Sequence, residues 1–340
     1  MGTGTYTSYL TGLTADNTYF VRAYATNSAG TSYGPEVNFT TLVNPDLPVL
    51  STANLSDITH NDATGGGNIT EQGISEVTAR GVCWNTIGVP VITDSHTSDG
   101  TGTGTFTSSL TGLSPYTLYY VRAYATNSAG TAYGNEVTFR TLHEPCPDLP
   151  TVSYGGQIYN TVLIGTQCWL RENLNIGTRI ASTTGQSDND IIEKYCYNDL
   201  EENCQAFGGL YQWDETMQYE TLEGSIGICP VGWHVPALAD YQALAGFLGG
   251  WEIAGWKTKS TTGWDFNGNG DNQSGFTGLP AGYSDDAGSY YWLGNKAIYW
   301  LSKMNDPTVS YRFDLSSFNS WLYLDQGLNN HGFSVRCIKN

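Results

Sequence analysis

Seven cysteines are the residues best suited to covalent chemistry in this 340-residue chain. One of them, Cys83, lies in the first half, and the other six lie towards the C-terminal end: Cys146, Cys168, Cys196, Cys204, Cys229 and Cys337. An even set without a C-x-x-C pair favours disulfides formed outside the cytoplasm over a zinc site. Cys83 lies on an apparent strand, which predicts a buried thiol and not a nucleophile.

A second group of residues could bind a ligand through rings and amides. It lies after Asp285, where Tyr, Trp and Asn are frequent. Flat rings stack on sugar faces and amides bond to hydroxyls, and the same residue types suit a protein interface. We expect part of this stretch to be core. The candidate ligand-binding residues are Tyr290, Tyr291, Trp292, Trp300, Trp321, Tyr323, Asn329 and Asn330.

Oxygen-bearing side chains recur at every second position in the segment DFNGNGD. The candidate metal ligands are Asp265, Asn267, Asn269 and Asp271. This spacing resembles the beginning of an EF-hand loop, so Ca²⁺ is the candidate cofactor. The twelfth position is Phe276 instead of a bidentate Glu, and a Gly/Asn turn without metal is the alternative.

Acid and base groups form no recognisable catalytic motif. No H-E-x-x-H is present, and His234, between Trp233 and Val235, is expected to be a partly buried imidazole with its hydrogen bonds satisfied. Asp214 and Glu215 could serve glycoside hydrolysis, but adjacent acids in so acidic a chain are usually solvated surface. We therefore predict no catalytic residue and no enzyme.

Composition restricts the partners. Acidic residues outnumber basic ones 32 to 14, for a formal charge of -18. Without a basic patch, nucleic acid is a poor partner. No apolar run approaches the roughly 18 residues that span a bilayer, so we expect no membrane insertion. The expected partner is an extracellular glycan or protein, or another copy of the chain.

An internal duplication locates the predicted strands in the first half of the chain. Residues 2–41 align with 102–141 at an offset of 100, with 28 of 40 positions identical. In the second copy, alternation places Tyr119, Val121, Ala123 and Ala125 on one face of a strand and Tyr120, Arg122 and Tyr124 on the other. A period near 100 residues matches one β-sandwich per repeat.

The second copy resembles a fibronectin type III module. The resemblance rests on Leu113 with Tyr119 six residues later, the run VRAYA, the turn NSAG and the closing FRT. It implies that Tyr119, and Tyr19 at the matching place, form a tyrosine corner. The first copy has no counterpart of roughly residues 47–100, and half a sandwich exposes an apolar face and open edges. Either upstream residues are missing or another chain supplies the strands.

The C-terminal part predicts a mixed α and β domain. A proline-rich linker spans 143–150, and a hairpin is predicted from Tyr154 into Val162. Leu238, Tyr241, Leu244 and Leu248 recur at helical spacing between Pro236 and the pair Gly249-Gly250. Short aromatic runs after Gly275 predict strands joined by loops.

Five ordered landmarks are spread over about residues 155–340. They are 164–174 (IGTQCWLRENL), 207–213 (FGGLYQW), 229–236 (CPVGWHVP), 274–283 (SGFTGLPAGY) and 332–337 (GFSVRC). Together they look like the Fibrobacter succinogenes major paralogous domain. That family is similar to C-type lectin-like and formylglycine-generating-enzyme-like domains, which implies a compact, loop-rich fold and an extracellular setting. The usual acidic-aromatic helix start after Pro236 is replaced here by ALADY.

The resemblance does not bring an activity. Formylglycine synthesis needs two reactive thiols near the C-terminus, whereas Cys337 is alone there and a disulfide to Cys229 is the simpler outcome. We predict Cys146–Cys168, Cys196–Cys204 and Cys229–Cys337, one of 15 possible pairings.

The sequence thus predicts a multidomain chain of all-β fibronectin type III-like sandwiches followed by a mixed α+β C-type lectin-like domain. The boundaries are a partial module at 1–42, a module at 47–142, the linker 143–150 and the C-terminal domain 151–340. The expected function is adhesion or binding at the cell surface, with the disulfide-stapled domain displayed on β-sandwich spacers. Two alternatives stay open, a filament or matrix subunit completed by inter-chain strands and a polysaccharide-active enzyme.

Overall fold

The chain divides into two units, Met1–Leu142 and His143–Asn340, in a computed structural model that describes residues 4–42 and 46–340. Residues 1–3 of the predicted partial module lie outside the described residues. Among the described helices, none combines the length and apolar character that crossing a bilayer requires.

The first unit contains ten strands among its described residues. They are β1 (Thr18–Asn27), β2 (Gly30–Thr40), β3 (Val49–Thr52), β4 (Ala63–Glu71), β5 (Ala79–Asn85), β6 (Ser95–His96), β7 (Gly104–Leu110), β8 (Leu118–Asn127), β9 (Gly130–Tyr133) and β10 (Val137–Arg140). Strands β1 and β2 form an antiparallel hairpin. The sheet β3-β4-β7 and the sheet β10-β8-β5-β6, with β9 on β8, share one core and form a β-sandwich.

Alternation along β8 decides how the sandwich closes. Tyr119, Val121, Ala123 and Ala125 are buried, as the sequence pattern predicts. Tyr124, on the opposite face of the strand, is buried too, and its hydroxyl donates to the carbonyl of Thr97 at 2.6 Å. The Tyr119 hydroxyl accepts the Ser114 N–H at 3.0 Å, which is the bond expected of a tyrosine corner.

The second unit mixes short helices with two main sheets. Its strands are β11 (Thr151–Tyr154), β12 (Gln157–Ile164), β13 (Gln167–Leu170), β14 (Thr178–Arg179), β15 (Glu193–Lys194), β16 (Trp233–His234), β17 (Ala281–Ser284), β18 (Tyr290–Leu293), β19 (Lys296–Asp306), β20 (Val309–Ser316), β21 (Leu322–Leu328) and β22 (Ile338–Lys339). Its helices are α1 (Glu201–Phe207), α2 (Trp213–Thr216), α3 (Leu238–Phe247) and α4 (Trp251–Thr258), with a 3-10 turn at Tyr197–Asp199. One sheet has the order β11-β12-β13-β22-β16, and the other is β19-β20-β21.

Of the two longer helices, the sequence predicts α3 but not α4. Helix α3 confirms the predicted spacing, and its start is capped because Asp240 accepts the Ala237 N–H at 2.8 Å. Helix α4 is not predicted, since Gly255 lies in its middle. That glycine is needed because a Cβ there would collide with the carbonyl of Trp321, so α4 lies directly on the chain before β21.

Residues 143–150, predicted to be a linker, pack instead on the second unit. Cys146 is bridged to Cys168, and the Leu163 N–H donates to the Glu144 carbonyl at 3.0 Å. The segment therefore belongs to the fold that follows it, because its backbone groups find partners there.

Three disulfides are present among the described residues. They join Cys146 to Cys168, Cys196 to Cys204 and Cys229 to Cys337, which are the pairs named from the sequence. Cys83 in the first unit is a buried thiol, as predicted, and burial raises its pKa to about 11.

Three of the five sequence landmarks meet around one buried guanidinium. Arg336 donates to the side chain of Asn173, to the carbonyl of Leu170 at 3.2 Å and to the carbonyl of Phe276. Its guanidinium also lies 4.3 Å from the Phe276 ring centroid. A charge buried this deeply must keep its partners, so these segments form one structural junction.

Candidate functional site

The eight predicted ligand-binding residues do not form one surface. Trp300 is completely buried, and its indole N–H donates to the Tyr211 carbonyl at 2.8 Å. Asn329 is also buried, with its amide donating to the Pro307 carbonyl at 3.3 Å. Both predictions are wrong as surface contacts, because these side chains pack the core and cannot reach a ligand.

The remaining six separate into different places. Tyr290 is half-buried, and its hydroxyl donates to Asp199 at 2.8 Å. Tyr291 is exposed and stacks on Tyr283, with centroids 5.4 Å apart. Asn330 is exposed and uses its backbone carbonyl to accept from Gln212. Trp292 lines a cleft, whereas Trp321 and Tyr323 lie elsewhere.

The cleft around Trp292 has a volume of about 250 Å³. It is built by β17, β18 and the three-stranded sheet, with the chain after β21 closing one side. The residues that line it include Tyr283, Trp292, Lys296, Ile298, Arg312, His331 and Phe333. Such a volume lies below the usual range of ligand clefts, about 300–1,000 Å³, so the cleft suits one sugar unit or one side chain.

Strand register places the charged groups on the floor of this cleft. Arg312 and Asp314 are two residues apart on β20, so they lie on the same face of the sheet, and Arg312 is opposite Asp325 of β21. Gly327 is needed beside them, because a Cβ there would press on Phe333 and on the Arg312 side chain. The missing side chain thus lets the guanidinium and the ring lie together, 5.3 Å apart.

These charges are already paired. Asp314 is buried and bonds Arg312, and its second oxygen is 3.5 Å from the Lys296 ammonium. Arg312 also reaches Asp325 at 2.9 Å and the Gln326 carbonyl at 3.0 Å. Burial raises the pKa of Asp314, and the two cations oppose that rise. The floor is therefore close to electrically balanced, with two cations against two carboxylates.

Aromatic rings form the walls. Trp292 is 47% exposed and has a φ of 66°, a backbone conformation that is costly for a bulky residue. Its ring lies 6.0 Å from the Lys296 ammonium. His331 stacks on Tyr283 with centroids 5.7 Å apart, and burial lowers the pKa of His331, so the imidazole is neutral at pH 7.

A second aromatic surface surrounds the loop before β21. Trp251 and Trp321 contact edge to face at 5.0 Å, and Phe266 stacks on Phe318 at 5.3 Å. The loop is anchored by buried Lys259, whose ammonium donates to the carbonyls of Ser316 and Asn319, each at 2.9 Å. Burial lowers the pKa of Lys259 to about 8. This surface is open, without the enclosing walls of the cleft.

Three of the four predicted calcium ligands accept hydrogen bonds from neighbouring groups of the protein, whereas Asn267 is exposed. Asp265 accepts from the Asn295 amide, Asn269 from the Trp264 N–H and Asp271 from the Gln273 N–H, each at 3.0 Å. No cluster of three or more His, Cys, Asp or Glu side chains suited to a metal occurs within 4–42 and 46–340. These bonds compete with a cation for the same lone pairs, and calcium binding stays a prediction.

The groups considered for catalysis are held in structural bonds. Glu215 is buried, contrary to the expectation of a solvated acid, because it accepts the Glu193 N–H at 2.9 Å and the Tyr219 hydroxyl at 3.1 Å. His234 is partly buried, as expected, between Asn340 at 2.6 Å and Asp240 at 3.1 Å. The bond to Asp240 raises the pKa of His234.

Sequence reasoning missed most of the cleft. Tyr283, Lys296, Arg312 and His331 come from four separate segments, and of these only Tyr283 lies in one of the five landmarks, at its last position. One usable signal was the alternation of Arg312 and Asp314 around buried Phe313, which is unusual in a strand otherwise rich in buried residues. Even that pattern does not say which rings face the pair.

The C-terminal part of the chain matches a known family. The family described as Fibrobacter succinogenes major domain matches residues 162–339, slightly more than half of the chain. No curated protein matches the chain.

Several solved structures show weak similarity. The sensor domain of the anti-sigma factor RsgI4 from Pseudobacteroides cellulosolvens is 16% identical over 28% of this chain and 94% of that chain, with a TM-score of 0.23. A fibronectin type III domain from human KIAA0970 is 17% identical over 33% and 87%, with a TM-score of 0.23. A fibronectin type III domain of human collagen XX is 17% identical over 28% and 92%, with a TM-score of 0.22. Scores this low do not establish a shared fold.

Proposed function

This chain belongs to the Fibrobacter succinogenes major domain family, and from that premise we propose that it is a secreted or cell-surface binding protein. The second unit holds the ligand in the cleft around Trp292, and the β-sandwich of the first unit serves as a spacer. The ligand is a sugar unit of an extracellular glycan. The protein binds without catalysis and inserts into no membrane.

One observation carries this proposal, which is the combination of rings and paired charges in the cleft. Trp292 keeps an unfavourable φ while presenting half of its indole to solvent. Strain of roughly 1–3 kcal/mol persists where the surroundings enforce it, often at ligand clamps. An indole and a phenol ring on the wall of a small cleft suit the apolar face of a sugar ring.

Charge balance favours a neutral ligand. Arg312 is occupied by Asp314, Asp325 and the Gln326 carbonyl, so it has little capacity left for a carboxylate or phosphate. Lys296 has two further N–H donors, and Asp325 is exposed, which provides both a donor and an acceptor for hydroxyl groups. Hydroxyl-rich neutral sugars match that set better than anionic ones.

The same pairing supports a binding role over an enzymatic one. Asp314 is buried and bonded by both Arg312 and Lys296, so its oxygens are already occupied on the cleft floor. General acid–base catalysis instead needs a group within hydrogen-bond reach of the substrate proton that it transfers. We place Asp314 and Arg312 as positioning residues that hold the cleft floor rigid.

The fold of each unit can be described more specifically. We propose that the complete β-sandwich is a fibronectin type III-like module and that the second unit is C-type lectin-like. The bond of Tyr119 to Ser114 supports the first statement. The pairing of β13 near the beginning of the second unit with β22 at its end supports the second.

An extracellular location is supported by the three disulfides. Mass spectrometry of unreduced peptides from protein exported by a bacterial host should find all three bridges and Cys83 free. Free thiols at all six positions would contradict an oxidising compartment.

A glycan panel with the whole chain tests the binding role. We expect binding to at least one neutral oligosaccharide, and we expect Trp292→Ala to weaken it by at least about 10-fold, since stacking on an aromatic ring contributes on the order of 1 kcal/mol or more. Lys296→Gln should weaken it less. Trp251→Ala is the matched control, because Trp251 is 48% exposed but lies on the second aromatic surface.

Two results would overturn the proposal. One is the absence of binding to every neutral oligosaccharide on the panel, whether or not uronic acid oligosaccharides bind. The other is binding that Trp292→Ala leaves unchanged while Trp251→Ala abolishes it, which would move the site to the second aromatic surface.

A further inference from the structure

Two buried lysines within residues 143–340 differ in what their ammonium groups contact. Lys259 donates to two backbone carbonyls. Lys194, at the end of β15, is 6% exposed and donates to the side-chain oxygen of Asn175 at 2.6 Å. Asn175 is itself 9% exposed. A primary amine therefore lies against a carboxamide in a place that admits little water.

The backbone fixes both of these side chains where they meet. The Asn175 N–H donates to the Tyr159 hydroxyl at 3.0 Å, and the Lys194 carbonyl accepts the Ile180 N–H at 3.0 Å. Because a C=O bond is about 1.23 Å long, the Cγ of Asn175 lies at most about 3.8 Å from the Nζ of Lys194. That is close to the separation of about 3–3.5 Å from which intramolecular reactions are strongly accelerated.

A carboxylate lies beside the amine. Helix α1 begins at Glu201, and the disulfide Cys196–Cys204 ties this helix to the chain that follows β15. One oxygen of Glu201 is 3.8 Å from the Lys194 ammonium, and the other is 3.5 Å from Arg179. The Glu201 side chain is half exposed, so it can exchange protons with solvent. An amine, a carboxamide and a proton carrier therefore lie together.

Burial changes the amine in the direction that amide transfer needs. An ammonium has no lone pair and cannot attack a carbonyl carbon. Burial lowers the pKa of Lys194, Glu201 opposes that change, and Arg179 adds to it. At a given pH, the neutral fraction of this amine is therefore larger than that of an exposed lysine.

We propose that Lys194 and Asn175 form an intramolecular isopeptide bond, with Glu201 as the proton carrier. The bond closes a covalent loop over residues 176–193. Like a disulfide it restricts the unfolded chain, but reducing agents do not break it. This goes beyond glycan binding, because none of these three side chains lines the cleft around Trp292.

The reaction balances without an oxidant or a cofactor. The Lys194 ammonium gives one proton to water, and the lone pair of Nζ then attacks Cγ of Asn175. Glu201 takes a second proton from Nζ and delivers it to Nδ2 of Asn175. The Cγ–Nδ2 bond breaks, ammonia leaves, and an amide between Nζ and Cγ remains. Glu201 ends in the charge state in which it began.

The leaving ammonia has a place to go. Asn175 lines a cavity of about 130 Å³ together with Tyr159, Cys204 and Gly208. A water molecule needs only about 10–15 Å³ of such space, and ammonia is of similar size. Departure of ammonia therefore requires no opening of the fold around Asn175.

Mass spectrometry of the reduced and unfolded whole chain tests the bond. We expect the mass to fall short of the sequence mass by one ammonia, and digestion to release a branched peptide that links Lys194 to Asn175. Lys194→Arg should abolish the branched peptide, because a guanidinium stays protonated and is no nucleophile. Lys303→Arg, at a lysine that pairs with Glu223 near the surface, is the matched control and should keep it.

The part assigned to Glu201 is tested by the rate of bond formation in freshly synthesised protein. Glu201→Gln should slow it at least about 100-fold, since a positioned acid or base typically contributes that much. Glu202→Gln, at the exposed neighbouring residue, is the control and should leave the rate unchanged. An intact disulfide between Cys196 and Cys204 reports that each variant has folded.

Two results would overturn the proposal. One is an unlinked Lys194 with an unmodified Asn175 in the folded, unaltered protein after prolonged incubation, which would show that the two side chains share a hydrogen bond and nothing more. The other is a branched peptide that joins Lys194 to a different residue. Both measurements use the unaltered chain, so they decide the question whether or not a variant folds.

Discussion

The two hairpins, β1–β2 and β8 with β9 and β10, have almost the same sequence and the same register but opposite environments. In one, Ala23 and Tyr24 are exposed. In the other, the matching Ala123 and Tyr124 are buried, with Ala123 in the core shared with the second sheet. The comparison teaches that strand, turn and register follow from about 40 local residues, whereas burial and stability depend on strands supplied from elsewhere.

The largest difference between the copies should come from a charge placed on the shared apolar face. Val121→Asp buries an unpaired carboxylate and should destabilise the sandwich by more than about 4 kcal/mol. Val21→Asp should leave the unfolding of that sandwich unchanged. Hydrogen exchange measured across urea concentrations reports each copy separately. If Val21→Asp and Val121→Asp lower the stability of the sandwich equally, the two hairpins do not differ as described.

An intermediate effect is expected from the bond between the two sheets. Thr52→Val leaves the Ala123 N–H buried without an acceptor, which should cost about 1–3 kcal/mol. Ser51→Ala, one residue away and exposed, is the control and should change stability by less than about 0.5 kcal/mol. If Ser51→Ala lowers the stability of the sandwich more than Thr52→Val does, β3 contacts β8 through its other face.

A smaller effect separates the two tyrosine corners. Tyr119→Phe removes the acceptor of the Ser114 N–H and should lower the urea midpoint of the sandwich by an amount equivalent to about 1 kcal/mol. Tyr19→Phe should not shift that midpoint, although its local bond is the same. A shift with Tyr19→Phe would mean that the first hairpin already contributes to the sandwich.

The smallest effect should be alike in both copies. Arg22 and Arg122 each donate to a glycine carbonyl and lie over Tyr33 and Tyr133, at 5.4 and 4.7 Å from the ring centroids. Replacing either by Lys keeps the charge and loses the planar fork, so exchange within each hairpin should rise by only about 2-fold. Residue-resolved hydrogen exchange of the backbone amides measures this rise. If only one of the two variants raises exchange, the arginine–carbonyl hydrogen bond depends on whether a second sheet covers the hairpin.

Much of the fold could be predicted from the sequence where the pattern is local. The alternation at Tyr119 to Ala125 and the helical spacing at Leu238 to Leu248 describe β8 and α3. Helix α4 was not predicted, because Gly255 interrupts its pattern. That glycine is required by the close approach of Trp321, which is 66 residues away in the chain. A residue chosen for a distant contact carries no local signal.

The binding cleft was predicted only in part for a related reason. Trp292 and Trp300 have similar sequence surroundings, but Trp292 faces the cleft and Trp300 is core. Strand β19 is buried on both faces from Ala297 to Ser302, so alternation there does not separate inside from outside. The prediction for Asn329 was wrong for a related reason, because a polar side chain can be buried when its amide N–H finds a carbonyl inside the fold, here that of Pro307.

By itself, the sequence determined the duplication, the acidic composition, the even set of six cysteines and the strands and turns that repeat after 100 residues, because each depends on residues close in the chain or on simple counts. Tertiary structure decided that one hairpin is covered and the other is not. It also placed residues 143–150 on the second unit and brought Tyr283, Trp292, Lys296, Arg312 and His331 around one cleft. Those outcomes depend on which distant segments share a core, and burial is a property of the folded whole and not of any stretch within it.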